Sequence, residues 1–221
     1  MKIGIIVAMQ KELALILPLL TAPVEENSGL VTYHSGHISN NEVAVMQCGI
    51  GKVNAAIGAV SLIDAFKPDV VINTGVAAGA GDDVAVMDIV VADRLVHHDF
   101  WCIGEEWGRV PGCPLFFPAQ MPVLPEKAGV KKGLIATGEL FISNKDEVDA
   151  IRSHFPDVMA IDMESPAIAQ ACYLRKVPFI CLRVISDSPW CSHDNSSQYE
   201  DFWTAAPQKS FATVKEILES L

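Results

Sequence analysis

Short runs of apolar, often β-branched residues recur along the chain between segments of helical periodicity. Most of these runs do not alternate between apolar and polar side chains, which is typical of strands buried on both faces. We predict strands at residues 2–8, 43–48, 69–73, 88–92, 133–137, 158–162 and 178–186. Residues 32–37 and 43–48 flank the turn residues Ser39, Asn40 and Asn41, which predicts an antiparallel hairpin.

Helical patterns lie between these strands. Apolar spacing predicts helices at residues 11–20 and 52–66, and a last one at residues 198–221. Asn144 is the expected N-cap of a third helix, and Ser165 followed by Pro166 predicts the N-cap and first position of a fourth. The alternation predicts one α/β domain over residues 1–221, in which a central mixed, mostly parallel sheet forms a three-layer α/β/α arrangement.

The segment 97–125 breaks this alternation, because it is rich in Pro, Gly and aromatic residues and has no clear periodicity. Connections of that length inside a compact domain are usually binding lids or contact surfaces. We therefore expect this segment to form a binding lid or a contact surface.

Composition narrows the classes of function. Half of the 221 residues are apolar and 19% are charged, which suits one domain that buries about 70% of its unfolded surface. The net charge of −11 argues against nucleic acid and anionic membranes as partners, since both require a positive surface. The apolar N-terminal run is interrupted at Gln10, too early for a signal peptide or a membrane span. We expect a cytoplasmic protein.

Two glycine-rich stretches invite a nucleotide-binding interpretation. Gly49-Ile50-Gly51-Lys52 resembles half a P-loop, but Met46 occupies the position of the first glycine. Residues 73–79 follow a strand yet lack the spacing of a dinucleotide-binding fingerprint. Tight strand-to-helix turns are the favoured interpretation of both stretches, and both still allow a ligand to approach the backbone closely.

Three carboxylates stand at the ends of apolar segments: Glu12, Glu164 and Asp187. In α/β folds such positions converge on the ligand crevice. A cluster of acids without basic neighbours suits bond cleavage by proton transfer better than phosphate binding. For Glu12 the alternative is a solvated carboxylate that stabilises the first turn of a helix.

Arg183 interrupts the apolar run 178–185, so a buried guanidinium is expected there unless the strand ends at the surface. A buried guanidinium requires an anionic partner to offset its desolvation. Asp187 lies too far along an extended strand to pair well with it. Glu12 is the candidate partner.

Aromatic and histidine residues give weaker indications. Phe141 and Ile142 precede the Asn144 cap, where they either stack on a planar base or fill the core. The run His97-His98-Asp99 has metal-binding residue types, but no third ligand has matching spacing, and His193-Asp194 adds little. We expect no metal site. Cys48, Cys172 and Cys181 lie within apolar runs and are expected to be reduced core residues.

An ordered series of motifs extends over nearly the whole chain. It comprises residues 1–6 with Ala8, Met9 and Glu12; 49–53; 67–70 with 72–75; 88–91; 110–114; Met163-Glu164; and 183–187. In this series the chain resembles the 5'-methylthioadenosine/S-adenosylhomocysteine nucleosidases of the purine nucleoside phosphorylase-like superfamily. The resemblance implies a metal-free, cofactor-free hydrolase of 5'-substituted adenosines.

The resemblance also implies roles for individual residues. Glu12 is the base that activates water, and Arg183 orients that base. Asp187 protonates adenine N7. Glu164 holds the ribose hydroxyls. The remaining substrate contacts that it implies are the Met163 backbone at the ribose, Phe141 and the Ile142 backbone at the base, Met9, Ile50 and Tyr199 around the 5' group, and Ser186.

Cleavage of the bond between a purine and its ribose requires the same residue types. Departure of the purine builds oxocarbenium character on the ribose, so an acid is needed at the base and carboxylates near the sugar. An aspartate donates a proton at neutral pH only where a desolvated pocket raises its pKa.

The resemblance further implies a homodimer in which Trp107 and the segment from Val110 to Pro114 complete the neighbouring subunit's site. This chain departs from the family at Val76, where a hydroxyl is usual, and at Ala78, where glycine is common. A valine cannot hold phosphate, which disfavours a purine nucleoside phosphorylase. A futalosine hydrolase of the same fold and a catalytically silent nucleoside-binding protein remain as alternatives.

Overall fold

A computed structural model describes residues 1–122, 129–191, 194–205 and 207–220. The strands are β1 (Lys2–Val7), β2 (Thr21–Ser28), β3 (Val31–Ile38), β4 (Asn41–Gln47), β5 (Val70–Gly79), β6 (Ile89–His97), β7 (Phe117–Pro118), β8 (Val130–Thr137), β9 (Val158–Asp162) and β10 (Phe179–Asp187). The helices are α1 (Gln10–Ile16), α2 (Lys52–Phe66), α3 (Lys145–His154), α4 (Ser165–Arg175), α5 (Asn195–Ala205) and α6 (Pro207–Glu219). The fold is of the predicted α/β class.

The strands form one mixed sheet, as predicted, whose order is β10-β6-β8-β9-β5-β1-β4-β3-β2. β10 also pairs with β5, so that β5, β10, β6, β8 and β9 close into a ring. Parallel and antiparallel pairings both occur, and the parallel β10–β5 and β6–β8 pairings are among the longest. The ring was not predicted, because local patterning does not encode which distant strands pair.

Helices pack on both faces of the sheet. On one face, side chains of α2 and α4 such as Leu62 and Ile168 are buried with Val71 of β5. On the other face, Ile16 of α1 and Ile217 of α6 are buried with neighbours from β1, β5 and β10. The central strands are therefore covered on both sides, which explains their non-alternating apolar sequences.

Helix α2 has the predicted bounds, whereas three other helices differ from prediction. The first helix ends at Ile16 and passes into a 3-10 turn over Leu17–Leu19, because Pro18 cannot donate an α-helical backbone hydrogen bond. The last helix is two helices, and the second of them starts at Pro207 for the same reason. Residues 206 and 221 of the predicted helix lie outside the described residues.

The fourth helix begins at Ser165, with Glu164 rather than Ser165 in the N-cap position. The Ser165 hydroxyl donates instead to the Asp162 carboxylate and lies 3.0 Å from Asn73 Oδ1. A tertiary contact has therefore taken the hydroxyl that was expected to cap the helix.

Several predicted strand ends are wrong, because the prediction ended these strands at or next to polar residues. β5 continues past Asn73 to Gly79, and β6 continues to His97. Asn73 is fully buried within β5, where its amide donates to the Ile6 carbonyl at 2.8 Å. β2, which is mostly exposed, and the two-residue β7 were not predicted.

The predicted hairpin is present as antiparallel β3 and β4. Within the segment 97–125, Phe117 is fully buried in β7, and residues 123–125 lie outside the described residues. Across the described residues, no helix combines the length and the apolar character needed to cross a membrane.

Candidate active site

One cavity is lined by residues at or near the ends of six strands and by residues of α1 and α5. Its walls include every site residue expected from the sequence except Arg183: Met9, Glu12, Ile50, Val76, Phe141, Ile142, Met163, Glu164, Ser186, Asp187 and Tyr199. The sequence did not single out the other wall residues for a site: Ala8, Ala77, Ala78, Leu140, Ile161 and Asp162. Arg183 lies beneath the wall.

Glu12 is buried at the start of α1, where its carboxylate accepts hydrogen bonds from the backbone just after β1 and from within β5. Oε2 accepts hydrogen bonds from the Ala8 and Met9 N–H groups, both at 2.9 Å. Oε1 accepts from the Val76 N–H at 3.0 Å. Burial raises the pKa of Glu12, while the positive charge of Arg183 and these three N–H donors oppose the rise. The carboxylate thus stabilises the helix start and also faces the cavity.

Gly75 lies beside both Glu12 and Arg183. Its φ of 154° is rare for residues with side chains, and a Cβ atom there would collide with both Glu12 Oε1 and Arg183 Nη1. Arg183 pairs with Gly75 in the β10–β5 register. The glycine therefore lets the guanidinium pass along β5 toward Asn73.

Arg183 is 1% exposed, and Asp162 rather than Glu12 is its direct carboxylate partner. Nε donates to Asp162 Oδ2 at 2.6 Å, and Nη2 donates to Asn73 Oδ1 at 2.5 Å. Glu164 Oε2 lies 3.9 Å from Nη2. The expected pairing of Arg183 with Glu12 is therefore wrong, because the Glu12 oxygens accept from three backbone N–H groups while Asp162 faces the guanidinium Nε. Arg183 still acts on Glu12 through its charge.

Asp162 was missed as a site residue, although it ends a predicted strand two residues before Glu164. Oδ1 accepts from the Thr137 hydroxyl and from the backbone N–H groups of Glu164 and Ser165, the latter two at 3.3 Å. Oδ2 accepts from Arg183 and from the Ser165 hydroxyl. A polar residue closing an apolar strand was the signal that could have identified it.

Glu164 is buried at the N-cap of α4 and reaches the glycine-rich turn before α2. Its Oε1 accepts from the Gly51 N–H at 3.0 Å, which a φ of 95° at Gly51 makes possible. Burial raises the pKa of Glu164 to about 7, helped by the negative charge of Asp162 and opposed by Arg183. The turn at residues 49–51 thus also supplies a donor to the site.

Asp187 ends β10 at the other end of the cavity. Oδ1 accepts from the Ser186 hydroxyl at 2.6 Å and Oδ2 from the Asn195 amide at 2.9 Å. Burial raises the pKa of Asp187, and these two donors oppose the rise. Among the described residues, no cationic side chain forms an ion pair with Asp187. Sequence reasoning missed Asn195, which lies three residues before the predicted start of the last helix at residue 198, whereas α5 starts at Asn195.

Aromatic side chains flank the opening. Phe141 is 46% exposed and meets the Tyr199 ring edge-to-face, with ring centroids 5.7 Å apart. The Tyr199 hydroxyl contacts Met9 Sδ at 3.4 Å. Of the two interpretations of Phe141, the structure gives the one in which the ring borders a cavity rather than filling the core. Ile142 is buried beside it.

The histidine run lies near the cavity but does not form a metal-binding group. His97 Nε2 lies 3.1 Å from Gln170 Oε1, and burial lowers the pKa of His97 to about 4. Asp99 instead pairs with Lys52 at 2.6 Å. Groups of three or more potential metal-binding side chains are absent from the described residues, which exclude His193.

The segment expected to reach a neighbouring subunit lies outside this cavity. Trp107 donates its indole N–H to the His98 carbonyl at 2.7 Å and stacks on His154, with ring centroids 4.3 Å apart. Neither Trp107 nor the residues from Val110 to Pro114 line the cavity of their own subunit.

Comparison with known proteins places the chain in a family. The phosphorylase superfamily model matches residues 2–219. The chain is 41% identical over 233 residues to the 5'-methylthioadenosine/S-adenosylhomocysteine nucleosidase of Maridesulfovibrio salexigens, with 100% of both chains covered. This chain belongs to the 5'-methylthioadenosine/S-adenosylhomocysteine nucleosidase family. A nucleosidase of Haemophilus influenzae from the same family is 38% identical over 231 residues, covering 100% of both chains.

Solved structures agree with this family. The nucleosidase from S. pneumoniae with the transition-state inhibitor MT-ImmA has a TM-score of 0.92 at 35% identity, covering 100% of this chain and 99% of that one. A futalosine hydrolase mutant of Helicobacter pylori has a TM-score of 0.88 at 28% identity, with 100% and 99% covered. The fold is thus shared by both hydrolase types.

Proposed function

We propose that this protein hydrolyses the N9–C1' bond of 5'-methylthioadenosine, S-adenosylhomocysteine and 5'-deoxyadenosine, releasing adenine and the 5-substituted ribose. The observation that carries the proposal is the meeting of Glu12, Glu164 and Asp187 in one cavity. Relatives named as nucleosidases of the first two compounds, matched over their full length, support it.

Asp187 supplies the proton at the base. Its burial, with no cationic partner in the described part of the chain, favours the protonated acid, which donates to adenine N7 as the glycosidic bond breaks. The electron pair of the N9–C1' bond moves into the purine, which the new N7 proton neutralises. An acid at this edge also favours adenine, since a 6-oxo group would place an acceptor beside an acceptor.

Glu12 supplies the base at the sugar. It takes a proton from water while the water oxygen forms the new bond to C1', opposite the departing adenine. The positive charge of Arg183 opposes the rise in the pKa of Glu12 and so favours its ionised form, and three backbone N–H groups fix its direction. The Val76 side chain makes this wall apolar, so the backbone N–H at Val76 orients Glu12 rather than water.

Glu164 binds the ribose 2'- and 3'-hydroxyls. Hydroxyl donors stabilise a carboxylate anion, so substrate lowers the raised pKa of Glu164 and binds with the ionised form. Phe141 stacks on the adenine and Ile142 reads its edge through the backbone. Met9, Ile50 and Tyr199 enclose the 5' group, with the Met163 backbone at the ribose and Ser186 at the acid.

We also propose that residues 1–221 form a single nucleoside phosphorylase-like domain with three α/β/α layers. The protein acts in the cytoplasm and requires no cofactor. We also propose a homodimer in which Trp107 and the segment from Val110 to Pro114 complete the partner's site. The exposed apolar side chains of Ile50, Val53 and Ile57 near the start of α2 support such an interface. Analytical ultracentrifugation should give twice the chain mass.

A futalosine hydrolase is the second candidate, because the Helicobacter pylori structure shares the fold over the full chain. Adenine or hypoxanthine release from four substrates decides the matter: the three 5'-substituted adenosines and futalosine. Each assay is run with and without phosphate, since a phosphorylase would require it. Release of adenine without phosphate supports the proposal, and its absence from all three adenosines rejects it.

A further inference from the structure

Asn195 has no part in the mechanism above, yet it is buried against the site. It is the first residue of α5 and is 1% exposed. Its amide nitrogen donates to Asp187 Oδ2 at 2.9 Å and to the Ile142 carbonyl at 3.0 Å. A primary amide has two N–H donors, and both are used here.

We propose that Asn195 is a positioning residue that holds the Asp187 carboxylate in register with the Ile142 carbonyl; this inference rests on the proposed function. Adenine N7 and the 6-amino group are neighbours on one edge of the base. The first needs a proton donor and the second an acceptor. A single planar amide bonded to both Asp187 and Ile142 fixes the spacing of those two groups before substrate arrives.

Helix α5 is itself fixed to the site, so that Asn195 is held rather than free to follow its partners. Gln198 Oε1 accepts from the Ser188 N–H at 2.6 Å, one residue beyond Asp187. One turn from Asn195, Tyr199 contacts both Met9 and the Phe141 ring. The helix therefore joins the end of β10 to the loop that carries Phe141 and Ile142.

The amide also affects protonation of the acid. Titratable groups that share the cavity with Asp187 are Glu12 from α1, Asp162 and Glu164 from the β9–α4 segment, and Tyr199 from α5. Only neutral donors from Ser186 and Asn195 oppose the burial that raises the pKa of Asp187. Removing the Asn195 donor should raise that pKa further, so the acid stays protonated to higher pH.

The test uses Asn195→Leu, which keeps the approximate volume but has no donor, and Asn195→Asp, which keeps the shape and adds a like charge. Ser197→Ala is the matched control, because Ser197 lies in the same first turn but its hydroxyl bonds Asp194. For each variant, kcat and KM for methylthioadenosine are measured across pH by adenine release. Adenine affinity is measured by calorimetry, and circular dichroism checks the fold.

We expect Asn195→Leu to lose about tenfold or more in kcat/KM and in adenine affinity, as for a buried hydrogen bond whose partner is left unsatisfied. The alkaline limb of its kcat/KM profile should move to higher pH, and further still in Asn195→Asp. Ser197→Ala should match the wild type. If Asn195→Leu does not fold, Asn195→Asp decides by the same shift.

A folded variant with the wild-type pH profile, KM and adenine affinity overturns the positioning role. Failure of the proposed function looks different, because the wild type itself then releases no adenine. In that case adenine affinity still decides the inference, since equal binding by wild type and Asn195→Leu, or none by either, rejects it.

Discussion

The two ends of the cavity hold buried carboxylates in opposite electrostatic settings. At the end where we propose that the sugar binds, called the sugar end below, Glu12, Asp162 and Glu164 surround one guanidinium, Arg183, that is itself buried. At the end where we propose that the adenine binds, called the base end below, Asp187 is held by a hydroxyl and an amide, with no cation paired to it among the described residues. Burial disfavours the charged form at both ends, but a positive charge offsets it only at the first.

This difference separates the two chemical roles. A general base must be ionised before the reaction, and the Arg183 charge keeps Glu12 closer to that state. A general acid must carry a proton, and at Asp187 burial raises the pKa while the opposing donors are neutral. Carboxylates of the same kind can therefore act as base and acid in one cavity at one pH.

The largest effect is expected from Asp187→Asn, which removes the acid at the base end. Turnover of methylthioadenosine should fall by about 10⁴-fold, since adenine would have to leave without its N7 proton. The amide retains the shape of the side chain, so adenine affinity measured by calorimetry should persist. Wild-type turnover in this variant would refute the assignment of Asp187 as the acid.

The corresponding change at the sugar end is Glu12→Gln, with an expected loss of about 10³-fold in kcat. The loss is smaller because water can still attack a ribose that has developed oxocarbenium character. The variant should bind a cationic sugar mimic, which calorimetry would measure. Loss of that binding together with turnover would indicate a structural rather than a chemical role.

Breaking the ion pair beneath the sugar end should affect stability. Asp162→Ala leaves the Arg183 guanidinium buried without its direct partner, and we expect destabilisation by about 3–5 kcal/mol. The matched control is the double variant Asp162→Ala/Arg183→Leu, which removes both charges and should recover much of the loss. Urea unfolding gives both values, and equal destabilisation of the two variants would contradict the pairing.

The smallest effect concerns Glu164 and depends on pH. Its pKa is raised from 4.5 to about 7, so the folded state binds a proton that the unfolded state releases between these values. Ionisation of Glu164 therefore lowers stability as pH rises through this window. The difference in unfolding temperature, Glu164→Gln minus wild type, should increase between pH 4.5 and pH 7 and stay constant at higher pH. A difference that is constant with pH would exclude this linkage.

Much of the fold could be predicted where local pattern and structure agree. Helix α2 has the predicted bounds 52–66, because its apolar side chains, its preceding glycine and its position between strands all indicate the same element. The Asn144 cap is also confirmed, with its side chain accepting from the Glu147 N–H at 3.0 Å. Boundaries failed at Asn73 and Ser165, where tertiary hydrogen bonds satisfy polar groups that usually end a strand or cap a helix.

The sequence by itself determined the α/β class and the residue types that face the cavity, because apolar periodicity and the acids at segment ends are local features. Only the tertiary structure decided that Asp162 is the partner of Arg183, that Asn195 joins Asp187 to Ile142, and that five strands close into a ring. These arrangements depend on which distant segments approach one another and on the empty side-chain position at Gly75. Neither can be inferred from the spacing of residues along the chain.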